Sequence, residues 1–404
     1  MQKTIFFLFL MLCFSCNIDF SKKMQHGVWL AQMQVKDNEQ LPFNFEVTSD
    51  STLKIFNADE VIQVNDISYR NDSVFIKMPV FEGHIDAKIT DSSLIGHFIK
   101  DDLNRILPFK AEMNKKERFK VKNKTPRFDV SGKWETVFSP NTDDDTYMAV
   151  GLFKQNGTKV TGTFRTETGD YRYLEGVMDG DQLKLSTFDG SHAFLFRATV
   201  TDSTLEGTFY SGNHWKEPFV AKRSNAFELA NPDSLTFLKE GYDTIKFSFP
   251  DVSGHMVSLS DQQFKDKVVV VQIMGTWCPN CLDETKFYSE FYKNNKDKGV
   301  EFIALAFEYA KTEDSAFKRI HKLVDDVGVE YPVLLAQYGT SDKLKAEEKL
   351  PMLNHILSYP TTIIMDKKGN VRKIHTGFDG PATGKKYMEF KDDFKRFIDE
   401  LLME

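Results

Sequence analysis

One pair of cysteines, set between an aliphatic run and a helix-forming run, constrains the fold of this chain more than any other feature. Residues 277–281 read Trp-Cys-Pro-Asn-Cys and follow the apolar run 268–273, which is typical of a strand covered on both faces. Pro279 suits the first turn of a helix, and residues 282–293 continue without glycine or proline. The pattern predicts a C-x-x-C at the junction of a buried strand and a helix.

That junction is typical of a thiol–disulfide redox centre. Unpaired amides and the dipole at a helix N-terminus favour a thiolate, so we predict Cys278 as the attacking sulfur. Cys281, one turn further on, is predicted to be more buried and to act as the resolving thiol. The alternative is an inert structural disulfide, although so short a loop gains little entropy by closure.

The rest of the composition argues against a metal site or a nucleic-acid partner. A zinc site would need a second cysteine or histidine pair at ligand spacing, and none of the nine histidines offers one. The formal net charge of −7 argues against binding to nucleic acid. We predict no metal and no organic cofactor, only a redox-active disulfide between Cys278 and Cys281.

Further motifs accompany the C-x-x-C in a fixed order. They are Phe249-Pro-Asp-Val252, Val257-Ser-Leu259, Phe264-Lys-Asp-Lys-Val268, Glu284, Tyr331-Pro-Val-Leu-Leu335, Tyr359-Pro-Thr-Thr362 and Lys368-Gly-Asn370. Together they resemble the thioredoxin-like envelope oxidoreductases of the TlpA/ResA type over residues 247–404. Strands are predicted at 300–308, 331–335, 363–366 and 371–375, and helices at 282–293, 314–326 and 391–403. The resulting order, β-α-β-α-β-β-α, is that of a thioredoxin-like domain.

The resemblance implies that Glu284 is an active-site acid that moves protons for the buried sulfur. An acid early in a helix is also favoured by the helix dipole, and this alternative stays open. Thioredoxin itself has a buried aspartate where this chain has Gln272, so we expect a different proton route.

The resemblance also implies a cis proline at Pro360 and substrate contacts by Trp277, Pro279, Tyr359 and Pro360. An ordinary strand-entry proline is the alternative, because few X–Pro bonds are cis. The dipeptide Pro-Asn between the cysteines differs from the Gly-Pro of thioredoxin. Two insertions are expected near the active-site end of the domain, one at 337–358 with a helix-like run at 341–350, and one at 378–384.

The N-terminus resembles a lipoprotein signal. Lys3 precedes an apolar run of nine residues, 5–13, whereas a membrane-spanning helix needs about 20. Residues 13–16 read Cys-Phe-Ser-Cys, a relaxed lipobox in which Cys16 would carry the lipid. The alternative is an ordinary secretory signal with an incidental cysteine. We expect a lipid-anchored protein that faces the periplasm in the envelope of a Gram-negative bacterium.

Residues 27–223 show short alternating runs between turn clusters, which predict antiparallel β structure. The region contains an internal repeat. Residues 27–29 recur at 132–134, 91–98 at 202–209 and 108–109 at 218–219, at separations of 105, 111 and 110 positions. The repeat predicts two related β modules or two halves of one β domain, and closure into barrels would remove exposed edges.

We therefore expect a multidomain chain, all-β with an internal repeat and then α/β and thioredoxin-like. The predicted parts are a signal peptide (1–15), a tether (16–26), β modules (27–115 and 132–223), linkers (116–131 and 224–241) and the redox domain (242–404). The lysine-rich run 115–127 is expected to be a solvated connector.

The predicted function is a thiol–disulfide oxidoreductase of the envelope, with reduction of disulfides in exported proteins as the preferred direction. The family implies an upstream electron donor in the membrane and substrates that include apocytochrome c. Two alternatives stay open: a thiol-dependent peroxidase, and a non-catalytic periplasmic binding lipoprotein whose β region does the main work.

Overall fold

The computed structural model describes residues 21–142 and 145–404. It confirms the predicted fold class, an all-β N-terminal region followed by a thioredoxin-like domain. Cys16 and the predicted signal peptide lie outside the described residues. No helix within the described ranges is both long enough and apolar enough to cross a bilayer.

The first repeat forms one nine-stranded antiparallel sheet, here called the first barrel (residues 27–113). Its strands are β1 (Gly27–Gln34), β2 (Gln40–Ser49), β3 (Thr52–Asn57), β4 (Glu60–Val64), β5 (Asp66–Arg70), β6 (Ser73–Lys77), β7 (His84–Ile89), β8 (Ser93–Lys100) and β9 (Arg105–Met113). The sheet runs β4-β3-β2-β1-β9-β8-β7-β6-β5. Only Asn65 separates β4 from β5, so a single bent segment joins the two ends of the sheet.

The second repeat forms a matching unit, the second barrel (residues 132–223). Its strands are β10 (Gly132–Phe138), β11 (Tyr147–Asn156), β12 (Lys159–Thr166), β13 (Gly169–Asp170), β14 (Leu174–Asp179), β15 (Gln182–Phe188), β16 (Ala193–Val200), β17 (Thr204–Ser211) and β18 (Trp215–Arg223). The order is β11-β10-β18-β17-β16-β15-β14-β12-β13, and β11 also pairs with β12. That additional pairing closes the ring.

Equivalent residues make equivalent contacts in the two barrels. Trp29 and Trp134 are fully buried, and each indole N–H donates to the carbonyl oxygen four residues earlier, at 3.1 Å and 2.8 Å. At Gly96 and Gly207 a Cβ atom would collide with the carbonyl oxygen of the facing strand. The repeated glycine is therefore required by the close approach of two backbones.

The connector between the barrels is not fully solvated, contrary to the expectation for 115–127. Arg118 is buried, and its guanidinium donates to the carbonyl oxygens of Ser186 and Phe56. Phe119 is buried beside it in the core of the first barrel. This part of the connector therefore packs between the barrels, with the arginine satisfying carbonyl groups from both.

The redox domain (242–404) has a five-stranded sheet between helices. Its strands are β19 (Ser248–Pro250) and β20 (Met256–Ser258), which form a separate hairpin, and β21 (Val268–Met274), β22 (Val300–Phe307), β23 (Val333–Gln337), β24 (Thr361–Met365) and β25 (Val371–Thr376). Its helices are α1 (Pro279–Asn295), α2 (Glu313–Val327), α3 (Lys343–Glu347) and α4 (Lys385–Met403). The sheet order is β23-β22-β21-β24-β25, with β21, β22 and β23 parallel. All seven residues of β21 are buried, as expected for a central strand.

Among the differences from the predicted element bounds, two have a clear local cause. β23 begins at Val333 because Pro332 has no N–H for the ladder, although its carbonyl accepts from Ala304 N at 2.9 Å. α4 begins after Gly384, which adopts a φ of +61°. The helix predicted at 341–350 forms only over Lys343–Glu347.

Candidate active site

The two cysteines lie where β21 passes into α1. Cys278 is the N-cap residue of the helix, and its Sγ accepts from the backbone N–H of Cys281 at 3.2 Å. Cys278 is 7% exposed and Cys281 is fully buried. Both are free thiols, so the structure represents the dithiol form. Burial raises the pKa of the Cys281 thiol well above its usual value, and the neighbouring Cys278 sulfur adds to the shift. Only the first sulfur is placed to meet a substrate.

Glu284 lies on the buried face of α1. Its carboxylate accepts from Gln272 Nε2 at 2.8 Å, from Thr362 Oγ1 at 2.8 Å and from Tyr288 Oη at 3.2 Å. The Gln272 amide also donates to the carbonyl oxygen of Cys281, at 3.4 Å. Burial raises the pKa of Glu284 to about 7, despite these three hydrogen bonds. This carboxyl can therefore take up or release a proton near neutral pH.

The Tyr359–Pro360 peptide bond is cis, as the resemblance implies. The carbonyl oxygen of Tyr359 accepts from Cys278 Sγ at 3.4 Å, which places this loop against the first sulfur of the motif. The ring of Trp277 meets that of Tyr359 edge-on, with 5.6 Å between centroids. Pro279 is buried at the start of α1. The predicted substrate-contact residues therefore all lie around Cys278.

A second buried carboxyl near the motif, that of Glu308, was not predicted from the sequence. Glu308 follows β22 directly and accepts from the backbone N–H and the hydroxyl of Thr276, both at 2.7 Å. Burial raises its pKa to about 7. The available signal was an acid at the end of an otherwise apolar strand, at the carboxyl edge where sites form in parallel sheets.

The second barrel is docked directly on the C-x-x-C motif. Arg172 is buried, and its Nη1 donates to the carbonyl oxygen of Pro279 at 3.0 Å. The same guanidinium pairs with Asp283 of α1, with Glu60 of the first barrel and with Asp189 of the second. One arginine thus joins all three units at the start of the redox helix.

A second set of contacts surrounds that arginine. Asn280, between the cysteines, donates from Nδ2 to the carbonyl oxygen of Asp170 at 3.1 Å. The Asp170 carboxylate accepts from the backbone N–H of Gly380 at 2.6 Å. Burial raises the pKa of Asp170 to about 7, and the carboxylates of Asp283 and Asp379 add to the shift while Arg172 opposes it. No sequence pattern indicated these contacts, because they join residues far apart in the chain.

Both predicted insertions contact the second barrel. Ser358 donates to the carbonyl oxygen of Thr168 at 2.9 Å. Asp379 accepts two hydrogen bonds from the Arg165 guanidinium, at 2.9 Å and 2.6 Å. Such fork-shaped pairs are geometrically specific. The two insertions therefore serve as the redox domain's side of this interface.

The described ranges contain no group of three or more histidine, cysteine, aspartate or glutamate residues that could hold a metal ion.

Known proteins share this domain. The family model for Redoxin matches residues 239–388. The thioredoxin-like protein YneN of Bacillus subtilis (strain 168) is 30% identical over 156 residues, which cover 39% of this chain and 80% of that relative. The thiol-disulfide oxidoreductase ResA of the same bacterium is 31% identical over 142 residues, 35% of this chain and 69% of ResA.

A similar solved structure is a thiol:disulfide interchange protein of the thioredoxin family from Chlorobium tepidum TLS. It has 23% sequence identity and a TM-score of 0.31, and the match covers 41% of this chain and 98% of the other.

Proposed function

The chain belongs to the thioredoxin-like thiol–disulfide oxidoreductases, and from that premise we propose that it reduces disulfides in exported proteins. Cys278 is the attacking sulfur and Cys281 the resolving one. The observation that supports these roles is the asymmetry of burial, because Cys278 is 7% exposed at the helix N-terminus whereas Cys281 is fully buried behind it.

The proposed reaction transfers two electrons from the enzyme dithiol to the substrate disulfide. The Cys278 thiolate attacks one sulfur of the substrate, so an enzyme–substrate S–S bond forms and the other substrate sulfur leaves as a thiolate, which takes up a proton. The Cys281 thiolate then attacks Cys278 Sγ, which forms the Cys278–Cys281 disulfide and releases the second substrate sulfur. The substrate is reduced and the enzyme oxidised. No metal or organic cofactor takes part.

Glu284 is the proposed acceptor for the proton that Cys281 must lose before it attacks. The hydrogen bonds of Gln272 to Glu284 and to the Cys281 carbonyl oxygen hold the acid beside this residue. With its pKa raised to about 7, the carboxyl is close to the value that serves both proton uptake and release at neutral pH.

The proposed substrate contact is the loop at Tyr359–Pro360, together with Trp277 and Pro279. The Tyr359 carbonyl oxygen lies 3.4 Å from Cys278 Sγ. A substrate backbone aligned along this loop would therefore bring its disulfide to the attacking sulfur.

The proposed setting is the periplasmic side of a Gram-negative envelope, with a lipid anchor at Cys16. There, an electron-donor protein in the membrane would return the Cys278–Cys281 disulfide to the dithiol. Exported proteins with cysteine pairs, apocytochrome c among them, are the proposed substrates. The reduction potential tests the direction, since a value near that of thioredoxin, about −270 mV, favours a reductase and one near about −120 mV an oxidase.

Trapping the mixed disulfide tests the assignment of the two sulfurs. Cys281→Ala, incubated with a disulfide-bonded protein, should accumulate a covalent adduct at Cys278 that is visible by mass spectrometry and lost on reduction. Cys278→Ala is the matched control and should form little adduct. Adducts formed mainly by Cys278→Ala would reverse the roles, and a wild type that reduces no protein disulfide would refute the proposed function.

A further inference from the structure

A cavity of about 230 Å³ lies where the two barrels meet the redox domain. Its lining includes Lys100 and Arg105 of the first barrel, His192 and His214 of the second, and Trp277 and Tyr309 of the redox domain. Ser341, from the insertion before the cis proline, completes the redox side. Three units that are distant in sequence therefore build one pocket beside the C-x-x-C motif.

The pocket is basic although the chain is acidic. No aspartate or glutamate is among the described residues that line it. The acids closest to Arg105 in sequence pair with other groups, since Asp101 lies 3.6 Å from His84 and Asp102 pairs with Arg319. Asp189, whose charge acts on Lys100, also pairs with Arg172 and His192.

Lys100 is buried in the pocket, and its positive charge is only partly offset by Asp189. Burial lowers the pKa of Lys100 to about 8, opposed by Asp189 and reinforced by Arg105. Burial also lowers the pKa of half-buried His214 to about 4, with Arg105 as the next cause. An anion in the pocket would raise the pKa values of both groups, because an opposite charge favours the protonated form.

The pocket is connected to the attacking sulfur by direct contacts. Lys100 Nζ donates to Ser191 Oγ at 3.2 Å, and Ser191 Oγ donates to the carbonyl oxygen of Trp277 at 3.3 Å. Trp277 immediately precedes Cys278, and its ring packs on Tyr359 of the cis-proline loop. A group bound in the pocket would therefore lie next to a substrate chain aligned on that loop.

We propose that this pocket binds carboxylate side chains of the substrate protein, next to the disulfide that Cys278 attacks. The proposal rests on the proposed function and names its substrate class, a protein with acidic residues near the reducible cysteine pair. The neighbouring cis-proline loop offers the place for the rest of the substrate segment. The barrels thus supply the basic side chains of the proposed substrate site.

Two disulfide-bonded peptides of equal length test this in the full-length protein. One carries Asp and Glu beside its cysteines, and the other carries Asn and Gln at the same positions. We expect the wild type to show a higher kcat/KM for the acidic peptide at low salt. Arg105→Gln should lower the acidic-to-neutral ratio of kcat/KM about tenfold, the effect of one charge-assisted hydrogen bond.

Two further variants separate a specific contact from general charge. Arg105→Lys keeps the charge and should retain most of the ratio. Lys110→Gln removes an exposed cation from the same strand, outside the pocket, and should leave the ratio at the wild-type value. Melting temperatures close to that of the wild type would show that the variants are folded.

The kcat/KM values for the two peptides separate the proposed pocket from the proposed reductase function. Reduction of both peptides at equal kcat/KM, or an equal effect of Arg105→Gln and Lys110→Gln, would overturn the acidic pocket and leave the reductase standing. Reduction of neither peptide would overturn the proposed function itself. Preference for a small anionic disulfide such as glutathione disulfide over the acidic peptide, lost in Arg105→Gln, would overturn the assignment to a protein substrate.

Discussion

The two barrels share a sequence repeat and a fold, but they meet the redox domain through different contacts. The first barrel packs Val80 and Phe81 into the hydrophobic core of the redox domain, and Lys322 of α2 donates to the Phe81 carbonyl oxygen at 3.2 Å. The second barrel instead places Arg172 and Asp170 on the C-x-x-C motif. Glu82 and Asp102 of the first barrel also pair with Arg319 of α2. The first copy therefore combines apolar contacts with ion pairs beside α2, whereas the second places its polar groups on the C-x-x-C motif.

The difference has an energetic consequence. Apolar contacts tolerate small displacements, because their free energy follows buried area and has little directionality. A buried ion-pair network is sensitive to the loss of any single member, since the remaining charges are left without a partner. We therefore expect the polar contacts of Arg172 to be more sensitive to single substitutions than the apolar contacts of Phe81.

Arg172→Met should give the largest effect. It leaves Glu60, Asp189 and Asp283 without their common cation, and breaking such a buried network costs roughly 3–5 kcal/mol. The free energy of unfolding in guanidinium chloride measures it. The control is Arg70→Met, which removes an exposed arginine from the first barrel. A loss as small as that of the control would show that Arg172 is not the centre of the interface.

The pH dependence of stability should follow Asp170. Its pKa is about 7 in the folded protein against the usual 3.8, so the folded state binds more protons between those values. Stability is therefore highest below about pH 4 for this group and falls as pH rises to about 7, by up to about 4 kcal/mol. Glu284 and Glu308 act in the same direction.

Asp170→Asn isolates the contribution of this carboxyl. The slope of unfolding free energy against pH should become flatter than in the wild type over that range. Asp202→Asn, at an exposed position of the same barrel, serves as the control. A wild-type slope in Asp170→Asn would contradict the buried, protonatable state of the group.

Phe81→Ala tests the apolar contact of the first barrel with the core of the redox domain. Truncation of a buried phenylalanine costs about 3 kcal/mol or somewhat more, whereas Val61→Ala, at an exposed valine of the same barrel, should cost little. Phe81→Ala should also leave the alkylation of Cys278 unchanged, and Arg172→Met should speed it. An equal increase in the alkylation rate of Cys278 in the two variants would mean that both barrels shield the active site.

Ser191→Ala should give the smallest effect. Its hydroxyl donates to the Trp277 carbonyl oxygen at 3.3 Å and accepts from Lys100, and the loss of such a hydrogen bond costs about 1 kcal/mol. Thermal unfolding detects a change of this size. Ser203→Ala, exposed on the same barrel, is the control. Equal melting temperatures of the two variants would show that the Ser191 hydroxyl does not stabilise the interface.

Local patterns predicted much of the fold. The aliphatic run and Pro279 predicted the β21–α1 junction, and the recurrence of Trp29 as Trp134 predicted two related β units. The apolar face of α4, with Phe394, Ile398 and Leu401 buried, followed from its helical spacing. Each signal lies within a few residues of the feature that it predicts, or in two matching segments of sequence.

The contacts between units could not be predicted in this way. Alternation along a strand shows which side chains leave the sheet, but it does not show what lies opposite. Arg172 is therefore indistinguishable in sequence from a solvated arginine, although it meets Pro279 at a separation of 107 positions. The same applies to Arg118, which is surrounded by lysines in the sequence and buried in the fold.

The closed form of each β unit has an evolutionary consequence. A strand that ends an open sheet presents unpaired amides and carbonyls to other chains. In this protein the β11–β12 pairing closes one ring, and the bent segment around Asn65 joins the sheet ends of the other. A self-contained ring can be copied within a gene without creating a new edge for aggregation. In this protein the two rings are alike while their loops differ, since Arg172 lies between β13 and β14 of the second ring, outside its strands.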